Sequence, residues 1–377
     1  VNLGLALWRR VQYRWDPWVI VVVVAIAVFA HWVMTSASPE RVNDQLVHQG
    51  LALAVLLGAA LVPFRFWLAF SPILYLGGLT ALVLVLLVGV SAKGATRWLD
   101  LGVVRVQPSE VMKLAVPLFL AAYFHWRMAA LRWWDFLVAL LFVVVPTLLI
   151  VKQPDLGTAI MVGLAGAAVL FFAGLSWRLL LPAVVAVAVA VTLLLVHGNE
   201  WCAPEVKWPA LHDYQKGRVC TLLDPERDPL GKGFHTIQAA IAIGSGGVWG
   251  KGLGQGTQSQ LAFIPERHTD FILAVIAEEL GMVGVAGLWL AYLLLLLRLL
   301  VLAMRSGLWA GQLFGGATVA ALFCYVWVNG AMALGIAPVV GVPLPLVSYG
   351  GTALVSLCLM IGVALSAAAE PLPGGGR

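Results

Sequence analysis

Several short polar blocks in the sequence hold residue types able to handle protons and anions. Glu110 and Lys113, in Gln107-Pro108-Ser109-Glu110-Val111-Met112-Lys113, stand at i and i+3 and so share one helical face within ion-pair reach. Lys152 and Asp155 share the turn Lys152-Gln153-Pro154-Asp155-Leu156-Gly157. Asp270 lies in Pro265-Glu266-Arg267-His268-Thr269-Asp270-Phe271, among Arg267 and His268. A carboxylate at a partly dehydrated interface has the character of a general base, because desolvation raises its proton affinity. Glu278 and Glu279 follow; at 100° per residue they fall about 80° and about 180° around a helix from Asp270, so Glu278 is the one that could line the same site. Ser348 lies in the segment Pro343 to Thr352, which opens the last helix and whose prolines and paired glycines leave free N–H groups at a helix start. Arg97 and Arg105 complete a set of cations suited to an anionic ligand. Each block also has a plainer reading: Glu110, Asp155 and Asp270 could be helix caps, and the prolines and glycines a structural turn.

The elements that must position these residues are membrane helices. Of 377 residues, 62% are hydrophobic and 11% charged, against about 25% charged in soluble domains, and mean hydropathy is +0.96. Apolar runs repeatedly reach the roughly 20 residues that cross ~30 Å of hydrocarbon. They predict an all-α polytopic protein with ten transmembrane helices, near 17–37, 46–63, 70–90, 110–126, 135–151, 156–174, 178–197, 271–303, 311–334 and 348–369. The first run reads as a spanning anchor and not as a cleavable signal. Arg9, Arg10, Arg14, Arg65, Arg127, Arg132, Arg178, Arg298 and Arg305 fall on one side, which places both termini in the cytoplasm. Arg41, Lys93, Arg97, Arg105 and Lys152 fall on the other. Three of these exceptions lie within 91–109, where an anionic ligand at the outer surface explains them.

One connection is long. Residues 198–270 form a large extracytoplasmic loop between helices seven and eight, within what reads as a single transmembrane domain spanning 1–377. Its first part, 198–230, is rich in Pro, Trp and charge; 231–256 holds nine glycines around the amphipathic run His235 to Ile243, readable as a short interfacial helix or as a flexible linker. Cys202 and Cys220 lie in this loop, where an oxidising compartment permits a bridge, while Cys324 and Cys358 lie within helices. No His-Glu-x-x-His, Cys-x-x-Cys or nucleotide phosphate loop is present, so no metal site or cofactor is expected, and the net charge of +5 does not point to nucleic acid in so apolar a chain.

Together these blocks resemble the shape, elongation, division and sporulation (SEDS) family. The resemblance rests on Arg97-Trp98-Leu99-Asp100-Leu101-Gly102, Gln107 to Glu110 with Lys113, Lys152 to Thr158, Ile243 to Gly247, Pro265 to Phe271 with Ala277-Glu278-Glu279-Leu280-Gly281, and Pro343 to Gly351. The Arg-Trp-Leu and His-Thr-Asp-Phe patterns favour its rod-shape (RodA) branch over the FtsW branch. Membership implies a peptidoglycan glycosyltransferase of the bacterial inner membrane. Such an enzyme polymerises lipid II, an undecaprenyl-diphosphate-linked disaccharide pentapeptide, into β-1,4-linked glycan at the outer leaflet during cell elongation. It implies a class B penicillin-binding protein as transpeptidase partner, with other elongation-complex membrane proteins. Asp270 matches the family's essential aspartate, Glu110 and Lys113 its coupled pair, and Asp155 a further sensitive carboxylate. A lipid II flippase, or a non-catalytic scaffold for the penicillin-binding protein, are the competing readings.

Overall fold

The computed structural model describes residues 14–371, apart from 93–94, 101, 103–104, 204–205, 207, 209–212, 225–232, 262 and 265. Arg9, Arg10 and Lys93 of the orienting cations, Pro265, and parts of 198–230 therefore lie outside the described residues.

Each apolar run of the sequence is helical. The first three helices are α1 (Pro17–Ala37), α2 (Val42–Leu61) and α3 (Phe64–Val88). A small antiparallel sheet follows, β1 (Val90–Ala92), β2 (Ala95–Asp100) and β3 (Arg105–Val106), in that spatial order. Then come α4 (Pro108–Arg127), α5 (Trp133–Lys152), α6 (Leu156–Phe172) and α7 (Trp177–Trp201). The polar segment after α7 carries α8 (Asp213–Leu223), α9 (Phe234–Gly246) and the single turn α10 (Thr257–Gln260). The chain closes with α11 (Ile272–Met304), α12 (Trp309–Ala333) and α13 (Gly351–Ala368). Among the described residues, seven helices, α1, α2, α3, α5, α11, α12 and α13, are long and apolar enough to cross a membrane; α6 is apolar but shorter.

Local signals set the helix ends. Pro17 and Pro108 sit in the first turns of α1 and α4, where a missing N–H costs nothing. Asp16 caps α1 by accepting from the Val19 N–H at 3.1 Å. The apolar surface is distributed the opposite way from a soluble protein: Trp18, Ile73, Leu87, Leu148 and Leu290 are exposed, while Ser71, Asn329, Glu278 and Glu279 are buried. Lipid covers the first set, and only hydrogen bonds within the protein make the second tolerable.

Helix α11 is interrupted. Gly281 adopts φ 66° and ψ −164° inside it, and the backbone of 247–252 docks into the break: Met282 N donates to Gly247 O at 3.0 Å, Lys251 N to Glu278 O at 3.0 Å and Gly252 N to Glu279 O at 2.9 Å. A Cβ on Gly281 would come within 2.3 Å of Gly250 N, so the break requires glycine for conformation and for space. The glycine-rich half of the outer segment is thus an ordered helix, α9, and a docked turn, not a linker. Cys202 and Cys220 are joined by a disulfide, and Cys324 and Cys358 are free thiols.

At the other end of α1, Arg298 of α11 donates to Asp16 at 2.5 Å and 3.1 Å. Burial pushes the Asp16 carboxyl up, but the Arg298 bonds and charge and the Val19 N–H outweigh it and hold it below its ordinary value. A carboxyl lowered by folding contributes stability that is complete above the unfolded pKa and is lost as pH falls through the folded one. Asp16→Asn should therefore lower the melting temperature at neutral pH, with the gap to wild type narrowing below about pH 4. A gap that stays constant into acid would show that the carboxylate charge contributes nothing.

Candidate active site

The polar blocks converge on one cavity of about 1410 Å³ at the end of the bundle that carries the small sheet and α8 to α10. Helix α4 brings Glu110 and Lys113 to it, β2 and β3 bring Arg97 and Arg105, the α5–α6 turn brings Asp155, and the turn before α11 brings His268 and Asp270.

The pair on α4 is closed: Lys113 Nζ donates to Glu110 Oε1 at 2.6 Å, and Ser356 of α13 donates to Glu110 Oε2 at 2.7 Å. Lys113 is 7% exposed, and its ammonium lies 5.3 Å from the centre of the Tyr325 ring. Membrane depth allows this cation because a carboxylate and an aromatic face surround it. Asp155 serves two functions. It caps α6 by accepting from Thr158 N at 3.3 Å, and it holds the cavity wall by accepting from Gln107 Nε2 at 2.9 Å with the Arg97 guanidinium 3.7 Å away. Arg97 also donates to Pro154 O at 3.0 Å. Arg105, at the mouth, donates to Asp100 at 3.2 Å. The Gly102 N–H and then Arg105 hold the exposed Asp100 carboxyl below its ordinary value.

Asp270 is not a cap of α11, whose N-cap residue is Phe271. It sits in the turn 266–271, with its carboxylate beside Gly341 at the cavity surface. The turn is pinned from behind. Asn329 of α12 donates to Asp270 O at 3.0 Å and to Val342 O at 2.8 Å, and Ser348 donates to Thr269 O at 2.6 Å. His268 is bracketed by Arg41, whose Nη1 lies 2.6 Å from its Nε2 and whose guanidinium stacks 5.2 Å from the Tyr349 ring centre. A guanidinium only donates, so Nε2 is the acceptor in this contact.

Four residues grouped with the site in the sequence do not line the cavity. Lys152 ends α5 on an exposed face. Ser348 is buried in the loop it ties together, its Oγ also accepting from Leu344 N at 2.8 Å. Arg267 turns away and donates to Ser259 O. Glu278 belongs to another cluster: it is 0% exposed and accepts from Lys251 Nζ at 2.8 Å, Gln258 N at 2.9 Å and Ser259 Oγ at 3.0 Å. Its neighbour Glu279 accepts from Ser36 Oγ at 2.6 Å. The helical-wheel estimate that paired Glu278 with Asp270 fails because Asp270 precedes the helix and the outer segment folds over Glu278.

A family model described as cell cycle protein, covering FtsW, RodA and SpoVE, matches residues 10–371. The chain belongs to the FtsW/RodA/SpoVE (SEDS) family. It is 46% identical over 362 residues to the peptidoglycan glycosyltransferase MrdB of Escherichia coli strain K12, covering 95% of this chain and 94% of that one. A probable peptidoglycan glycosyltransferase FtsW of Idiomarina loihiensis is 33% identical, covering 94% and 87%. Among solved structures, one chain of a peptidoglycan synthase complex that coordinates polymerisation and crosslinking superposes with TM-score 0.76 at 38% identity, covering 94% and 97%. The rod shape determining protein RodA of Thermus thermophilus gives 0.69 at 31% identity, covering 94% and 96%.

Within this SEDS chain the cavity also recruits residues that sequence reasoning passed over as site residues. Arg41 stands out only as a cation on the wrong side for the orientation rule. Tyr349 lies inside the Pro343 to Gly351 block. Ser356 of the lining and Asn329, buried behind Asp270, carry the weakest signal, single uncharged polar residues in otherwise apolar helices. Arg218 of α8 lies in a stretch with no motif at all. Removing one partner of a buried ion pair strands the other at a cost of about 3–5 kcal/mol, while removing both costs far less. Glu110→Ala and Lys113→Ala should each lower the melting temperature more than the double substitution. The exchanged pair Glu110→Lys/Lys113→Glu should retain more activity than either single variant. Equal losses in all of them would reject a simple pair.

Proposed function

We propose that this chain polymerises lipid II by inverting glycosyl transfer, with Asp270 as general base. The activity class, peptidoglycan glycosyltransferase, follows from family membership and 46% identity to MrdB across 95% of the chain. The reading of the mechanism is carried by one observation: Asp270 shares a single cavity with Arg97, Arg105 and Lys113.

Polymerisation joins the acceptor sugar's 4-hydroxyl oxygen to the donor's C1 as the bond from C1 to the undecaprenyl diphosphate breaks. The hydroxyl proton goes to Asp270, and the electron pair of the broken bond leaves on the diphosphate. Attack opposite the leaving group turns an α-linked donor into a β-1,4 product. The diphosphate leaves without protonation, so the second carboxylate that glycosidases need is dispensable here. Arg97, Arg105 and Lys113 meet the charge that develops on it, and preorganised charge of this kind stabilises a transition state without reorganisation. Glu110 and Asp155 hold Lys113 and Arg97 in place. His268 and Arg41 border the same space, and Arg267, Ser348 and Glu278 act behind it by fixing the loops.

The same reading places the chain as a multi-pass protein of the bacterial cytoplasmic membrane, with ten spans, both termini in the cytoplasm and the cavity facing outward. The nine arginines on the side of the termini, against five cations on the side of the cavity, support that orientation. It also gives the chain a penicillin-binding transpeptidase as partner; likeness to a complex that couples polymerisation to crosslinking supports this.

Purified protein supplied with lipid II in detergent, where flipping has no meaning, should produce glycan chains resolvable on a gel. Asp270→Ala should reduce the rate by roughly 10²- to 10⁴-fold, the usual contribution of a general base. Polymer at the wild-type rate from Asp270→Ala would remove Asp270 from the chemistry. Failure of both proteins with a transpeptidase partner present would favour transport or scaffolding.

A further inference from the structure

Helix α8 is the part of the outer segment that no motif accounts for, and it has two unlike faces. Arg218, Thr221 and Leu222 stand at i, i+3 and i+4, and all three line the cavity. Lys216, Cys220 and Leu223 stand at i, i+4 and i+7, on the opposite face. Every one of these three is fastened to the end of α7 or the chain just beyond it. Cys220 is disulfide-bonded to Cys202, Lys216 Nζ donates to Ala203 O at 2.8 Å and to Val206 O at 2.5 Å, and Leu223 packs on Gly198, where a Cβ would come within 2.5 Å of it. The segment that receives α8 is itself fixed, since Cys202 N donates to Gly198 O at 2.9 Å and Trp208 Nε1 to Trp201 O at 2.9 Å.

We propose that α8 is a stapled roof of the cavity and that Arg218 is a substrate-binding residue delivered by it. Arg218 contacts the anionic head of the incoming substrate in the cavity that Arg97 and Lys113 also line. The inference rests on the glycosyl-transfer reading above and deepens it. An isolated helix of eleven residues is marginal in water, so the back-face attachments, the disulfide foremost, keep Arg218 over the site. The ligand chemistry is a carboxylate or phosphate oxygen, which a guanidinium grips in a bidentate way. On lipid II this is either the diphosphate or a stem-peptide carboxylate.

The test is steady-state polymerisation of lipid II by the full-length protein in detergent. Arg218→Ala should raise KM by roughly ten-fold, the value of one charge-assisted hydrogen bond, with a smaller change in kcat. Arg218→Lys should recover only part of that loss, because an ammonium keeps the charge but not the bidentate geometry. The double variant Cys202→Ser/Cys220→Ser should show a similar KM increase, and the triple variant should be little worse than either, because both changes remove the same contact. Reductant, with reduction confirmed by intact mass, should shift the wild type and leave the serine double variant unchanged, which covers the case in which that variant folds poorly. A lipid II analogue with its stem-peptide carboxylates amidated separates the two sources: a persisting Arg218→Ala penalty assigns the diphosphate, and a vanished one assigns the peptide. An unchanged KM in Arg218→Ala, or a KM increase that neither reductant nor the cysteine variants reproduce, overturns the proposal. Asp270→Asn run in parallel keeps the two levels apart, since its polymerising at the wild-type rate defeats the mechanistic reading whatever Arg218 does.

Discussion

Taking a charged group out of water costs several kcal/mol unless a partner and further hydrogen bonds meet it inside, and in a bilayer no stray water supplies them. This chain nevertheless keeps Lys113, Asp155, Glu278 and Glu279 at no more than 7% exposure. Much of the architecture follows from meeting that cost. Glu110 and Ser356 bring α4 and α13 together around Lys113. Gln107 and Arg97 draw the sheet onto Asp155 at the start of α6. The docked turn 247–252, with Lys251 and α10, exists around Glu278. Charge burial thus recruits elements distant in sequence to a common end of the bundle, and the cavity is what remains between them.

The charges divide into two clusters with different work. One surrounds the cavity and leaves Asp270, His268 and Arg105 at its surface. The other, around Glu278 and Glu279, is closed and holds the outer segment onto α11 and α1. Arg267 connects them mechanically: it stands three residues before Asp270 and donates to Ser259, which Glu278 grips. The reacting groups therefore rest on a turn anchored from behind by Arg267, Ser348 and Asn329, so the carboxylate's position is set by structure that substrate does not touch.

Helices and most of the site were legible in the sequence because membrane composition makes both signals loud. Long apolar runs have few alternatives to helix, and a Glu or Lys inside one is conspicuous. Glu110 and Lys113 were readable for that reason, Asp155 and Asp270 as charges in short polar turns, and their convergence from three separate places was readable through the family resemblance. What was hidden depends on contacts at long range. That Glu278 faces Lys251 and not Asp270 follows from Asp270 lying outside the helix, which starts at Ile272, and from a loop folding back over Glu278. That Asn329 supports Asp270 depends on α12 lying beside a turn 59 residues earlier in the chain. The seating of α8 on the end of α7 was not legible because its attachments are one disulfide and a few backbone carbonyls, none of which has a periodic pattern.

Helix α1 is fastened to α11 at both ends, by Asp16 to Arg298 on one side and by Ser36 to Glu279 on the other. The two fastenings are about 20 residues apart along each helix, roughly 30 Å, which is the thickness of the hydrocarbon layer. The pair therefore works as a fixed gauge. A bilayer thicker or thinner than this span cannot be met by sliding α1 along α11 without breaking one polar clasp in an apolar medium, so the membrane has to deform to fit the protein, or the whole bundle has to tilt.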